Sequence, residues 1–117
     1  MRVLTFISLV CSLATTPALA HAFLDHAVPP VGGTVAVSPR ELQITYTENI
    51  VLPFCGVRVA SEGGNPIAVS KPRLGAPDEL IVKFARALKP GTYVVSWHVV
   101  SVDTHHTQGT YKFTVAP

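Results

Sequence analysis

After residue 20 the chain never holds a helical period. Short runs of alternating apolar and polar residues recur instead, between clusters of Pro, Gly, Asn and Asp. A period of two sends successive side chains to opposite faces of an extended backbone, so these runs read as half-buried strands. Leu42, Ile44 and Tyr46 alternate with Gln43, Thr45 and Thr47. Val57 and Val59 alternate with Arg58 and Ala60, and Ile67 to Ser70 follow the turn Glu62-Gly63-Gly64-Asn65-Pro66. Leu80, Val82 and Phe84 alternate with Ile81, Lys83 and Ala85. Tyr93, Val95, Trp97 and Val99 share one face of a long strand, and Tyr111, Phe113 and Val115 share one face of the last. With His21–Val28 as a first strand, about seven strands are expected, spaced as in an all-β sandwich or barrel. The aromatic residues fall on the apolar phase and are expected in the core. Leu88-x-x-Gly91-x-Tyr93 has the layout of a tyrosine corner, in which the phenol bonds back to the chain at a sandwich crossing.

The first twenty residues are of another kind. Arg2 is followed by an uncharged apolar run from Val3 to Ala14, then by a small, polar stretch ending Ala18-Leu19-Ala20. This is the layout of a cleaved secretory signal. The run is too short to span a bilayer, which takes roughly 20 apolar residues. Ser8-Leu9-Val10 before Cys11 does not resemble a lipoprotein signal. The expectation is a signal peptide over residues 1–20, one domain over 21–117, and export to the periplasm. Ala20-His21-Ala22 leaves cleavage after Ala22 as an alternative.

Composition excludes two classes. A chain that is 48% apolar and only 14% charged is not disordered, and a net charge of +2 does not suit a nucleic-acid binder. Without the leader, one cysteine remains, Cys55, and it cannot form an internal disulfide.

Five histidines are present: His21, His26, His98, His105 and His106. On an extended segment Asp103 and His105 would point the same way and His106 the other. Alone, Asp-x-His is a weak signal. Cleavage after Ala20 would make His21 the first residue, so that a free amine and an imidazole form a chelate on one residue. With Asp103 and His105 this set offers three nitrogens and one oxygen. Such a set suits tetragonal Cu(II), which also heads the divalent affinity order; Zn(II) is the competitor.

The mature chain resembles the CopC (PcoC) family of periplasmic copper-binding, copper-resistance proteins. The resemblance rests on an ordered series of motifs. They are His21-Ala-x-Leu24, the Pro29–Gly33 turn, Ile44-Thr-Tyr-Thr-Glu48-Asn49 and Phe54-x-Gly56. They continue through Leu88-x-Pro90-Gly91-Thr92-Tyr93-x-Val95-x-Trp97 and Val100-Ser101-x-Asp103-Thr104-His105, on to Gly109. It implies a seven-stranded Greek-key β-barrel or sandwich, immunoglobulin-like with cupredoxin-like topology. It implies one Cu(II) per chain, with His21, Asp103 and His105 as ligands and Glu48 as an acidic residue close to the site. It also implies a non-enzymatic role in sequestering or transferring copper, with an inner-membrane transporter of the CopD type as partner. The well-known members add a Cu(I) site in a Met-rich loop. Here Met1 is the only methionine, so a thioether site cannot be built, and a Cu(II)-only type is expected.

Weaker ligand candidates are His106, His26 and Cys55. Strand parity turns His106 from the site, and His26 differs in parity from His21 unless a bulge intervenes. Cys55 reads as a small buried hydrophobe before it reads as a soft ligand. A monomer without nucleic-acid partners is expected. Two other readings stand beside the copper carrier: a copper oxygenase with a histidine brace, and a metal-free immunoglobulin-like module.

Overall fold

The computed structural model describes residues 22–117; the expected leader and His21 lie outside the described residues. Nine strands are present among them. They are β1 (Leu24–Val28), β2 (Thr34–Val35), β3 (Glu41–Tyr46), β4 (Gly56–Ser61) and β5 (Pro66–Ile67), then β6 (Arg73–Leu74), β7 (Glu79–Lys83), β8 (Gly91–Val100) and β9 (His106–Val115). One 3₁₀ turn, Leu52–Phe54, interrupts the series. The strands make two sheets, ordered β1-β3-β7-β6 and β2-β9-β8-β4-β5.

The all-β sandwich therefore matches the sequence expectation, while the strand count exceeds the expected seven. β2 and β6 are two-residue strands, too short to show a period, and β5 is confined to Pro66–Ile67 where a run to Ser70 was expected. β2 is held by parallel pairing to β9 and β6 by antiparallel pairing to β7. In β7 strict alternation fails, because Leu80, Ile81 and Val82 are all buried. The segment after β6 covers the outer face there. A Cβ built on Gly75 would stand 2.8 Å from the Ile81 side chain.

Elsewhere a period of two puts the apolar phase inside. Leu42, Ile44 and Tyr46 of β3 face Val95, Trp97 and Val99 of β8 and Tyr111, Phe113 and Val115 of β9 in one core. Aromatic contacts tie the sheets together. Tyr46 meets Trp97 edge-on across the sandwich at 5.1 Å and Phe84 meets Phe113 at 6.5 Å, while Tyr93 stacks on Phe113 within the larger sheet at 5.5 Å. Tyr93 also completes the expected corner, since its hydroxyl donates to the Lys89 carbonyl at 2.5 Å.

Two core tyrosines are less well served. The hydroxyls of Tyr46 and Tyr111 are buried with no hydrogen-bond partner among the described residues, and burial pushes both phenols above their ordinary range. This contrast yields a paired prediction. Tyr93→Phe deletes a made bond and should lower stability by about 1 kcal/mol. Tyr111→Phe removes an unsatisfied hydroxyl and should leave stability unchanged or raise it by up to about 1 kcal/mol. Urea midpoints at constant slope measure both.

Candidate metal centre

The Asp-x-His segment sits where β8 turns into β9. The strands pair to their ends, Val100 opposite His106, so residues 101–105 must reverse the chain. Thr104 N donates to Ser101 O at 2.8 Å and Ser101 N to His105 O at 3.0 Å, which closes the loop on itself. The reversal needs a residue with positive φ, and Thr104 supplies it at 73°. That is an unusual place for a β-branched residue. Asp103 and His105 do converge, but through this turn and not on an extended strand.

Their contact is specific. His105 Nδ1 lies 3.0 Å from Asp103 Oδ2. The Ser101 hydroxyl donates to the other carboxylate oxygen, Oδ1, in a very short bond. Ser101 is fully buried, whereas the Asp103 and His105 side chains are partly open to solvent. The Ser101 hydroxyl bond holds the Asp103 carboxyl below its ordinary range. The partial desolvation of Asp103 opposes this, and the His105 ring reinforces it. The acid is thus an oriented carboxylate beside an imidazole, a donor pair fit for a divalent cation.

Two further segments converge on this turn. Val102 N donates to Asn49 O, and Ser101 bridges to Ile50. Thr47 in turn exchanges hydrogen bonds with Phe23: Thr47 N to Phe23 O at 2.8 Å, and Phe23 N to Thr47 Oγ1 at 3.0 Å. Glu48 is therefore held between two anchors at this end of the sandwich, and it is exposed. On the other side Thr107 Oγ1 donates to Ala22 O at 2.6 Å. Ala22 is fully buried, so the described chain starts at a fixed point against β9, two residues from His105.

The remaining candidates lie elsewhere. His106 opens β9 on its exposed face. The bulge that could have moved His26 exists, as the β1–β3 register shifts between Leu24 and His26. His26 nevertheless turns to its neighbour Asp25 at 2.8 Å, with 63% of its side chain exposed. Cys55 lies between the 3₁₀ turn and β4; its thiol donates to Val51 O at 3.2 Å, and burial pushes its pKa up. It is a half-buried neutral thiol. His98 stands over Gly56, where any Cβ would strike its ring at 2.3 Å. No group of three or more His, Cys, Asp or Glu side chains gathers among the described residues. Sequence reasoning took no account of Ser101, Thr47 and Thr107 as the groups that fix this end. Ser101 was the most accessible of the three, since a polar residue on a buried strand end must find a partner.

The CopC domain model matches residues 24–116. The chain belongs to the CopC family. Protein YobA of Escherichia coli K12 is 38% identical over 109 residues, covering 92% of this chain and 88% of that protein. The structure of CopC from Methylosinus trichosporium OB3b superposes with a TM-score of 0.77 at 29% identity, covering 83% of this chain and 95% of that one. PcoC from Escherichia coli, described as a methionine-rich copper resistance protein, gives a TM-score of 0.76 at 33% identity, covering 82% and 99%. Family membership brings the cupredoxin-like sandwich with it. It does not bring the methionine richness of PcoC, because this CopC-family chain has Met1 alone.

The carboxylate geometry predicts the effect of Ser101→Ala. In metal-free protein the Asp103 carboxyl should titrate closer to an ordinary aspartate, read by carboxyl-carbon NMR. The hydroxyl's contribution to stability is present above the ordinary aspartate pKa and is lost as pH falls through the lowered one. The stability gap between the two proteins should therefore close at acid pH.

Proposed function

We propose that this CopC-family protein is exported, loses residues 1–20, and binds one Cu(II) through the His21 amine and imidazole, Asp103 and His105. On this reading it sequesters copper or passes it on in the periplasm, and it performs no catalysis. A CopD-like transporter in the inner membrane is the partner this role calls for.

The observation that carries the reading is the anchoring of Ala22. Its carbonyl accepts from Thr107, on the strand that His105 leads into. His21 is the next residue back in the chain, and adjacent Cα atoms are about 3.8 Å apart. A terminal chelate on His21 therefore starts from a point already tied to the Asp103–His105 turn. The oriented carboxylate and the imidazole add one oxygen and one nitrogen to its two nitrogens. Hard and borderline donors of this kind suit Cu(II), and no thioether is present for Cu(I). Glu48 belongs to this proposal as an outer acidic group, held close by Thr47 and Asn49.

Electron paramagnetic resonance on mass-checked protein with one equivalent of Cu(II) tests the donor set directly. A spectrum of mixed nitrogen and oxygen donors is expected. An added Met before His21 breaks the chelate and should weaken binding by more than about 100-fold, beyond the effect of losing an outer partner. His105→Ala should do likewise, Glu48→Gln should cost about 10-fold, and His106→Ala should cost little. Equal affinity with and without the extra Met would overturn the site. Binding should also weaken below neutral pH, as protons compete for the amine and imidazoles. Asp103 stays ionised through that range, because its pKa is lowered, so the nitrogens set the release.

A further inference from the structure

The pole opposite the candidate copper site carries a second constellation. Strands β3 and β7 run from pole to pole, roughly 17 Å at about 3.3 Å per residue. β7 starts at Glu79 beside the metal end and finishes at Lys83, which pairs with Glu41 at the start of β3. An open cavity of about 760 Å³ lies there, lined by Val37, Arg40, Glu41, Lys83 and Arg86 among others.

Three features of this cavity are unusual together. Arg40, Lys83 and Arg86 all reach it, are exposed, and form no ion pair among the described residues. Its one carboxylate, Glu41, is already engaged, accepting from Gln43 at 2.9 Å and facing Arg73 at 3.5 Å. Val37 at the rim is 79% exposed, the highest value among the large exposed hydrophobics of the described residues. A free apolar side chain amid uncompensated cations fits the interface of an anionic bilayer. The side chain settles among headgroups, and the cations meet lipid phosphates.

The distribution of charge points the same way. The stretches that build the metal end, residues 22–28, 46–57, 75–80 and 98–109, contain no Lys or Arg, but they hold Asp25, Glu48, Asp78, Glu79 and Asp103. The molecule is therefore an electrostatic dipole. Near a negative surface it would turn its cationic pole inward and its acidic pole outward.

We propose that the Val37–Arg40–Lys83–Arg86 pole docks this protein on membranes rich in anionic phospholipid, with the candidate copper site facing away from the lipid. Docking of this kind leaves the copper-binding end open to the surrounding solution while keeping the protein close to the membrane plane. It does not depend on which residues bind copper.

The test is co-sedimentation of the exported, mass-checked protein with two kinds of vesicle. One is phosphatidylcholine alone and the other equal parts phosphatidylcholine and phosphatidylglycerol. Binding is expected only to the second, weakening as salt is raised. Each membrane-facing cation is worth about fivefold in affinity, so Arg40→Gln with Arg86→Gln should weaken binding about 25-fold. Arg58→Gln removes one charge from the middle of β4, opposite Ser96, and should change binding little. Val37→Ser should weaken binding severalfold without altering its salt dependence. All these positions are exposed, and unchanged thermal midpoints would show that the variants fold. A loss from Arg58→Gln as large as that from Arg40→Gln alone would overturn the proposal in favour of diffuse charge. So would binding to both vesicle types alike, or no vesicle binding at all. Inorganic phosphate shifting the Arg40 and Arg86 resonances, with no vesicle binding, would mean a small-anion site and overturn it too.

Discussion

The pairing of β8 with β9 is the constraint on which the rest depends. It runs unbroken from Gly91 opposite Val115 to Val100 opposite His106. Its inner face supplies Tyr93, Val95, Trp97, Tyr111 and Phe113 to the core, so it is the floor against which the second sheet packs. Because the pairing runs to the last residue of each strand, the chain has only residues 101–105 in which to reverse. That shortage of chain forces Thr104 to positive φ and turns Asp103 and His105 toward one another. The donor pair is a by-product of a tightly closed hairpin. Loop closures that carry chemistry on a rigid scaffold are the usual arrangement.

The same hairpin organises the groups around the turn. Ser101 continues the buried phase of β8, and its hydroxyl donates to Asp103. Val102 catches the backbone of Asn49, and Thr107 catches that of Ala22. Two segments far apart in sequence, the start of the described chain and the stretch after β3, are thereby drawn to a single turn. A candidate metal site assembled this way would be held by the backbone of three segments and would need no disulfide; the one cysteine among the described residues, Cys55, is a half-buried neutral thiol.

Much of this was legible in the sequence. The strands that matter most to the core are long enough to show a period of two, and their apolar phase was the right one. The corner at Tyr93 was written in Leu88-x-x-Gly91-x-Tyr93. What escaped is instructive. β2 and β6 have two residues each, and two residues carry no period; only the pairing partner makes them strands. Ile81 sits on the polar phase of β7 yet is buried, because the Gly75 segment folds over it. The Asp103–His105 pairing was foreseen for the wrong reason: parity along a strand and convergence in a turn give the same neighbours here. The hydrogen bonds from Ser101 and Thr107 join residues to partners that no spacing rule selects, and Thr107 to Ala22 spans most of the described chain.

The charge pattern adds a constraint that motifs do not express. A binder of a divalent cation gains from carboxylates around its site and loses from lysines and arginines there, by simple repulsion. The candidate metal end holds no basic residue, which leaves every Lys and Arg of the described chain to the sides and the far pole. With a net charge near zero, such sorting changes the total little but creates a dipole between poles. A dipole has no effect on a molecule tumbling in bulk solution, but it becomes an orienting torque near any charged surface. At the far pole Arg40, Lys83 and Arg86 form no ion pair among the described residues, Glu41 being turned to Arg73, and Val37 stands beside them 79% exposed. Selection on cation binding alone would account for the acidic pole. It would not account for unpaired cations gathering around an exposed valine, and that residue of the pattern is what an anionic surface would explain.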